Sequence, residues 1–123
     1  MIEVERELLI KRQEGAVCYL TLDRPNSGNS LSRAMIAELH KSLNELAINS
    51  DINVIVISGT GGRIFCAGHD LREFDANKDA EFYSTVSSEC SAMMQAILKQ
   101  PQIVIASVEG IATAAGCQLV ATC

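Results

Sequence analysis

Gly59-Thr60-Gly61-Gly62-Arg63-Ile64-Phe65-Cys66-Ala67-Gly68-His69-Asp70-Leu71-Arg72 turns on three glycines and then enters a compact, mostly apolar segment. A short β-type run, Val54-Ile55-Val56-Ile57, leads into it. Gly59, Gly61 and Gly62 allow backbone angles that a Cβ would forbid. Gly68, between Ala67 and His69, lets another group come close to the main chain. Two readings stand side by side at this point. One is a loop after a strand that offers backbone N–H groups to a polarised oxygen. The other is a glycine-rich surface turn.

Upstream of this loop, residues 8–13 and 16–22 read as two short strands joined at Glu14-Gly15 in a hairpin. The second is apolar at nearly every position, as in a strand covered on both faces. Asp23-Arg24-Pro25-Asn26-Ser27-Gly28-Asn29 reads as a loop, and Ser30 or Ser32 can cap the helix that follows. Ile36, Leu39, Leu43 and Leu46 lie three and four apart, on one helical stripe. Asn49-Ser50-Asp51 closes that helix and residues 54–57 form the next strand.

Downstream, Asp79 is a fair N-cap for a second amphipathic helix carrying Phe82, Val86, Cys90, Met93 and Ile97. Pro101 stops it. Residues 103–108 read as a strand broken by Glu109-Gly110, and residues 111–123 as the start of a buried helix. The order is strand, strand, helix, strand, helix, strand, helix start. Such repeats favour an α/β fold with a largely parallel sheet and right-handed crossovers.

The chain has 123 residues, enough for one modest domain, and 48% hydrophobic residues, enough for a core. Its net charge of −5, with no basic cluster, argues against nucleic acid as the main partner. No apolar run is long enough to span a bilayer. The opening Met-Ile-Glu-Val-Glu-Arg-Glu is too acidic for a transit peptide and has no signal-peptide apolar block. Five cysteines without CxxC spacing suit a reducing intracellular compartment. Neither His40 nor His69 has a partner at metal-ligand spacing, so no metal is expected. The last thirteen residues form an apolar helix start with no terminating signal, so a domain truncated at its C-terminus is expected over residues 1–123.

The second informative stretch is Val108-Glu109-Gly110-Ile111-Ala112-Thr113-Ala114-Ala115-Gly116-Cys117-Gln118-Leu119. Small residues crowd from Ala112 to Gly116, where a helix starts with unpaired N–H groups. In a parallel sheet, loops at the carboxyl ends of neighbouring strands lie side by side. One N–H from each loop would then converge on a single oxygen as an oxyanion hole.

Phe65-Cys66-Ala67-Gly68-His69-Asp70-Leu71 and residues 110–123 resemble the two signature segments of the enoyl-CoA hydratase/isomerase (crotonase) superfamily. Leu22-Asp23-Arg24-Pro25, with Asn29-Ser30-Leu31 after it, resembles the family's early loop, which lies along coenzyme A. The wording is most similar to the enoyl-CoA hydratase domain-containing branch. The resemblance implies the N-terminal part of a crotonase-like (ClpP/crotonase) spiral of strand–strand–helix units. It implies acyl-CoA thioester substrates in fatty acid or related metabolism, with coenzyme A as part of the substrate and no separate cofactor. It implies homotrimers or hexamers for a full-length protein, in the cytoplasm of bacteria or in mitochondria of eukaryotes.

Residue by residue, His69 and Ala115 match the positions whose backbone N–H groups form the oxyanion hole. Ala67 matches a residue whose backbone lies near the adenine. His69, Asp70, Leu71 and Arg72 match the substrate lining. Arg72 matches an often-basic position that could meet a coenzyme A phosphate, and equally reads as a solvated surface base. The His69 imidazole is not called for by the oxyanion role. Asp70 reads as a loop anchor or helix cap, and Cys66 and Cys117 as small apolar fillers.

Two departures from the family pattern bear on function. Ala114-Ala115-Gly116 stands where the family usually has three glycines; the oxyanion hole persists if Ala115 tolerates the angles, and the added methyl groups narrow the pocket. Gln118 stands at the position of a catalytic glutamate. A glutamine amide orients water but exchanges no proton near neutral pH, so hydratase activity is put in doubt. The expected function of an intact protein is therefore a thioester-polarising, acyl-CoA-binding hydratase/isomerase-like one, with a non-catalytic acyl-CoA binder or regulatory partner as the alternative; the 123-residue chain alone is expected to be marginally stable and inactive. RNA binding is disfavoured by the charge.

Overall fold

The computed structural model describes residues 7–123. In chain order the elements are β1 (Leu9–Glu14), β2 (Val17–Leu22), α1 (Arg33–Ala47), β3 (Val54–Gly59), β4 (Ile64–Cys66), α2 (Leu71–Ala76), α3 (Ala80–Leu98), β5 (Ile103–Ala106), β6 (Ile111–Ala112) and α4 (Ala115–Thr122). A single 3-10 turn, Pro25–Ser27, lies in the loop before α1. The strand–strand–helix unit thus occurs three times: β1-β2-α1, β3-β4 with α2 and α3, and β5-β6-α4.

β1 and β2 form the expected hairpin, antiparallel from Leu9↔Leu22 to Glu14↔Val17. β2 pairs in parallel with β3, and β3 with β5, giving the order β1-β2-β3-β5. The sheet is therefore parallel except at the hairpin. β4 and β6 form a separate two-stranded parallel sheet that periodicity did not reveal. They are three and two residues long, too short for an alternation to show.

The core lies between one face of the larger sheet and the helices. Leu20, Leu22, Ile55 and Ile57 are buried with Met35, Leu39 and Leu43 of α1 and with Val86, Met93 and Ile97 of α3. Each such side chain contributes about 1.5–3 kcal/mol on removal from water. Ser32, not Ser30, caps α1: its Oγ accepts the Met35 N–H at 3.1 Å. Asp79 caps α3 in the same way, accepting the Phe82 N–H at 2.7 Å. Asp70 caps α2, a helix not foreseen from the apolar spacing.

Two expectations are corrected. β2 is fully covered on one face only: Cys18, Leu20 and Leu22 are buried, while Val17, Tyr19 and Thr21 are half-buried. β5 ends at Ala106 rather than at Val108; among the described residues it pairs with β3 alone, with Ile103 67% exposed. Among the described residues α4 buries Ala115, Gly116 and Leu119. For β2, apolar composition overstates burial, because it cannot say how many neighbours an element has.

Candidate functional site

The small sheet brings the two loops together. β4 and β6 pair at Ile64↔Ile111 and Cys66↔Ala112, and the Thr113 N–H continues the pairing by donating to the Cys66 carbonyl at 3.1 Å. The first turn of α4 then lies directly on β4. A Cβ on Gly116 would stand 2.1 Å from the Cys66 carbonyl oxygen, so only glycine fits there. Gly68, at φ 97°, faces the same turn: a Cβ on it would stand 3.3 Å from the Ala115 nitrogen. This contact puts the His69 and Ala115 nitrogens no more than roughly 7 Å apart, given standard backbone dimensions.

The direction of each N–H follows from what its own peptide's carbonyl does. The Gly68 carbonyl accepts the Leu31 N–H at 2.7 Å, in a parallel bridge between Leu31 and His69. In a trans peptide the N–H points opposite the C=O, so the His69 N–H points away from Leu31. The Ala114 carbonyl accepts the Gln118 N–H at 3.1 Å, so the Ala115 N–H leaves the N-terminal end of α4. Among the described residues neither the His69 nor the Ala115 N–H donates a hydrogen bond. Two unsatisfied donors from two touching loops can hold one oxygen that is gaining negative charge.

The strain in this arrangement sits on Ala114, not on Ala115. Ala114 has φ 53° and ψ −127°, a region that glycine enters freely and alanine does not. Ala115 is the first residue of α4 and needs no special angle. Of the glycines before β4, Gly61 and Gly62 have positive φ, but Gly59 does not. Gly59 is required for space instead, since a Cβ there would stand 2.6 Å from the Phe65 carbonyl oxygen.

Around the amides, the other expected residues take distinct places. The His69 ring packs edge-on against Phe74, centroids 5.8 Å apart, with Nδ1 buried and unbonded. Ala67 gives its N–H to the Gly28 carbonyl at 2.9 Å. Leu71 is 75% exposed, and Gln118 is exposed on α4. Cys66 is buried, and burial pushes its thiol above the usual range, whereas Cys117 is exposed.

Asp70 is the buried charge of the site. Its carboxylate caps the Arg72 N–H at 3.1 Å and pairs with Arg24 at 3.0 Å and Arg72 at 3.3 Å. Burial pushes the carboxyl up, but bonds from Arg72 and Arg24 outweigh it and hold the group below its usual value. The Arg72 guanidinium is otherwise exposed and reaches the Ser27 hydroxyl at 2.8 Å.

Asn29 was not singled out as a site residue, yet it joins the early loop to the glycine loop. It is fully buried, at φ 50°. Its Nδ2 donates to the carbonyls of Thr60 and Ile64, and its Oδ1 accepts the Arg24 N–H. Asparagine's tolerance of left-handed angles was the available signal. Among the described residues no group of three or more His, Cys, Asp or Glu could hold a metal ion, and no helix is long and apolar enough to cross a membrane. A groove of about 850 Å³ between α1 and α3, lined by Arg33, His40, Asn44 and Glu89, borders neither amide.

Three short strand–strand–helix turns, with two loops meeting at a pair of free amides, define an α/β protein of the crotonase fold. The chain belongs to the enoyl-CoA hydratase/isomerase family, whose model matches residues 12–123. It is 38% identical over 121 residues to the mitochondrial enoyl-CoA hydratase domain-containing protein 3 of Rattus norvegicus, covering 98% of this chain and 40% of that one. It is 37% identical to the 2,3-dehydroadipyl-CoA hydratase of Escherichia coli, covering 95% of this chain and 44% of that one. The crystal structure of an enoyl-CoA hydratase from Mycobacterium smegmatis superposes with a TM-score of 0.92 at 45% identity, covering 96% of this chain and 46% of that chain. That of human enoyl-CoA hydratase domain-containing protein 3 superposes with a TM-score of 0.89 at 38% identity, covering 95% and 46%. The chain therefore spans less than half the length of each of these four relatives.

Proposed function

We propose that this chain binds an acyl-CoA thioester, with the His69 and Ala115 N–H groups donating to the thioester carbonyl oxygen as an oxyanion hole. The observation that carries this reading is the pair of undonated amides on two loops that touch at Gly68 and Ala115. Polarising a thioester carbonyl stabilises the enolate formed when a proton leaves, or a nucleophile adds to, the neighbouring carbons. One such donor is worth roughly 10²–10³ in rate in other acyl-transfer sites. Ala67 has its N–H engaged, so its carbonyl is the group an adenine amino group would meet. Arg72 is exposed beside this loop and is our choice for a coenzyme A phosphate contact.

Gln118 shapes the chemistry we assign. Water addition across a conjugated double bond needs a group that positions water and takes its proton. Gln118 can do the first only. In a full-length protein the proton would move through another residue, or the reaction would be an isomerisation, hydrolysis or decarboxylation of the same thioester. Gln118 also favours a second reading, a non-catalytic acyl-CoA binder. We place the protein inside the cell, in fatty acid or related acyl-CoA metabolism, and as a trimer or hexamer when full-length.

Calorimetry with crotonyl-CoA, set beside free coenzyme A, tests the binding; a full-length protein adds a hydration assay of wild type and Gln118→Glu. Binding that favours the thioester, weak hydration, and a gain with Gln118→Glu are expected. Normal hydration that the substitution leaves unchanged would defeat the role given to Gln118. No preference for the thioester over free coenzyme A would defeat the oxyanion reading. Binding without turnover on a panel of thioesters would select the second reading.

A further inference from the structure

We infer that Arg24 is a positioning residue for the first amide: its guanidinium clamps both flanks of the Leu31–His69 bridge and so sets where the His69 N–H points. The bridge is two hydrogen bonds, Leu31 N–H to Gly68 carbonyl at 2.7 Å and Asp70 N–H to Leu31 carbonyl at 3.3 Å. Arg24 holds the residue before Leu31 and the residue after His69. Its Nη1 donates to the Ser30 carbonyl at 3.0 Å and to the Ser30 hydroxyl at 3.1 Å. Its Nη2 donates to Asp70 Oδ2 at 3.0 Å. The loop that carries Arg24 is itself pinned, through the Arg24 N–H, to buried Asn29.

A planar fork reaches the two segments from two separate nitrogens, whereas a lysine offers one nitrogen. The clamp is largely shielded, with the Arg24 side chain 17% exposed and that of Asp70 8%. It also has an electrostatic consequence. An unpaired Asp70 carboxylate next to His69 would oppose negative charge growing at that N–H, and pairing with Arg24 cancels much of it. Arg24 has both terminal nitrogens engaged inside the protein. Arg72, which shares Asp70, is 73% exposed and faces solvent. The early loop therefore backs the amide rather than only lining a ligand. The clamp stands on the contacts above; its effect on a thioester rests on the reading under Proposed function.

The test uses the 123-residue chain labelled with 15N, as wild type, Arg24→Gln, Arg24→Lys and Asp70→Asn. Hydrogen exchange at the Leu31 and Asp70 amides is compared with exchange at Ile55 and Ile57 in the central strand. In Arg24→Gln the two bridge amides should exchange at least about tenfold faster while the strand amides stay within about twofold, with Arg24→Lys between it and wild type. A second arm follows the carbonyl 13C signal of saturating [1-13C]crotonyl-CoA. Its downfield displacement in wild type should shrink by about half or more in Arg24→Gln and recover in part with lysine. Unchanged exchange at Leu31, or equal acceleration at Ile55, overturns the clamp. Loosened bridge amides with a full carbonyl displacement overturn positioning. Loosened bridge amides with no displacement even in wild type leave the clamp standing and remove the thioester reading. Should Arg24→Gln fail to fold, Arg24→Lys and Asp70→Asn decide by the same comparison.

Discussion

Ala114 and Gly68 meet so closely that a Cβ on Gly68 would stand 3.0 Å from the Ala114 methyl carbon. Each residue holds a left-handed φ, 53° and 97°. The seam between the two loops is thus made of two unusual backbone conformations pressed together. Glycine adopts such an angle without strain, and alanine does not.

Ala114→Gly should therefore stabilise the chain. Relief of the strained angles outweighs the added freedom of glycine in the unfolded state, for a gain of about 1 kcal/mol. The urea midpoint should rise with an unchanged slope. A fall in the midpoint would mean that the angles at Ala114 are not strained.

Asn29→Ala should cost about 3 kcal/mol. It leaves the Thr60 and Ile64 carbonyls and the Arg24 N–H without their side-chain partner, in a buried place, and puts alanine at φ 50°. The same urea titration measures it. Asn29→Asp should cost at least as much, since it points a buried carboxylate oxygen at the Thr60 and Ile64 carbonyls.

Replacing the Ala115 amide by an ester removes that N–H and only weakens the Ala114 carbonyl as an acceptor for the Gln118 N–H. Ligation at Cys90 with a synthetic 90–123 segment makes this accessible. Affinity for crotonyl-CoA should fall about tenfold or more, while affinity for free coenzyme A stays the same. The melting temperature should move little, because the Ala115 N–H donates to nothing in the protein. Equal loss for both ligands would show that this amide does not face the thioester.

Asp70 makes the fold sensitive to acid. Its folded carboxyl lies below the ordinary value of 3.8, so the unfolded chain takes up its proton first as pH falls. The stability it contributes is present above that value and is lost as pH drops through the folded one. Unfolding free energies between about pH 5 and pH 2 should fall less steeply in Asp70→Asn than in wild type. Parallel slopes would place the acid sensitivity elsewhere.

The parts of the fold legible in the sequence are those long enough to show a period. The Ile36, Leu39, Leu43 stripe and the Val86, Cys90, Met93, Ile97 stripe gave two helices that the structure bears out. β4 and β6 escaped because a pair of residues such as Ile111 and Ala112 has no alternation to read. The family resemblance led to His69 and Ala115, but it placed the doubtful backbone angle on Ala115. The strain is at Ala114, one residue earlier, where the chain turns into α4.

By itself the sequence determined the alternation of strands and helices, the capping by Asp79, and the glycines at the two loops, because each depends on neighbours a few residues away. The tertiary structure alone decided which amides are left without acceptors. Leu31 takes the Gly68 carbonyl from 37 positions upstream and Arg24 reaches Asp70 across 46, and a local pattern carries no record of partners that far apart.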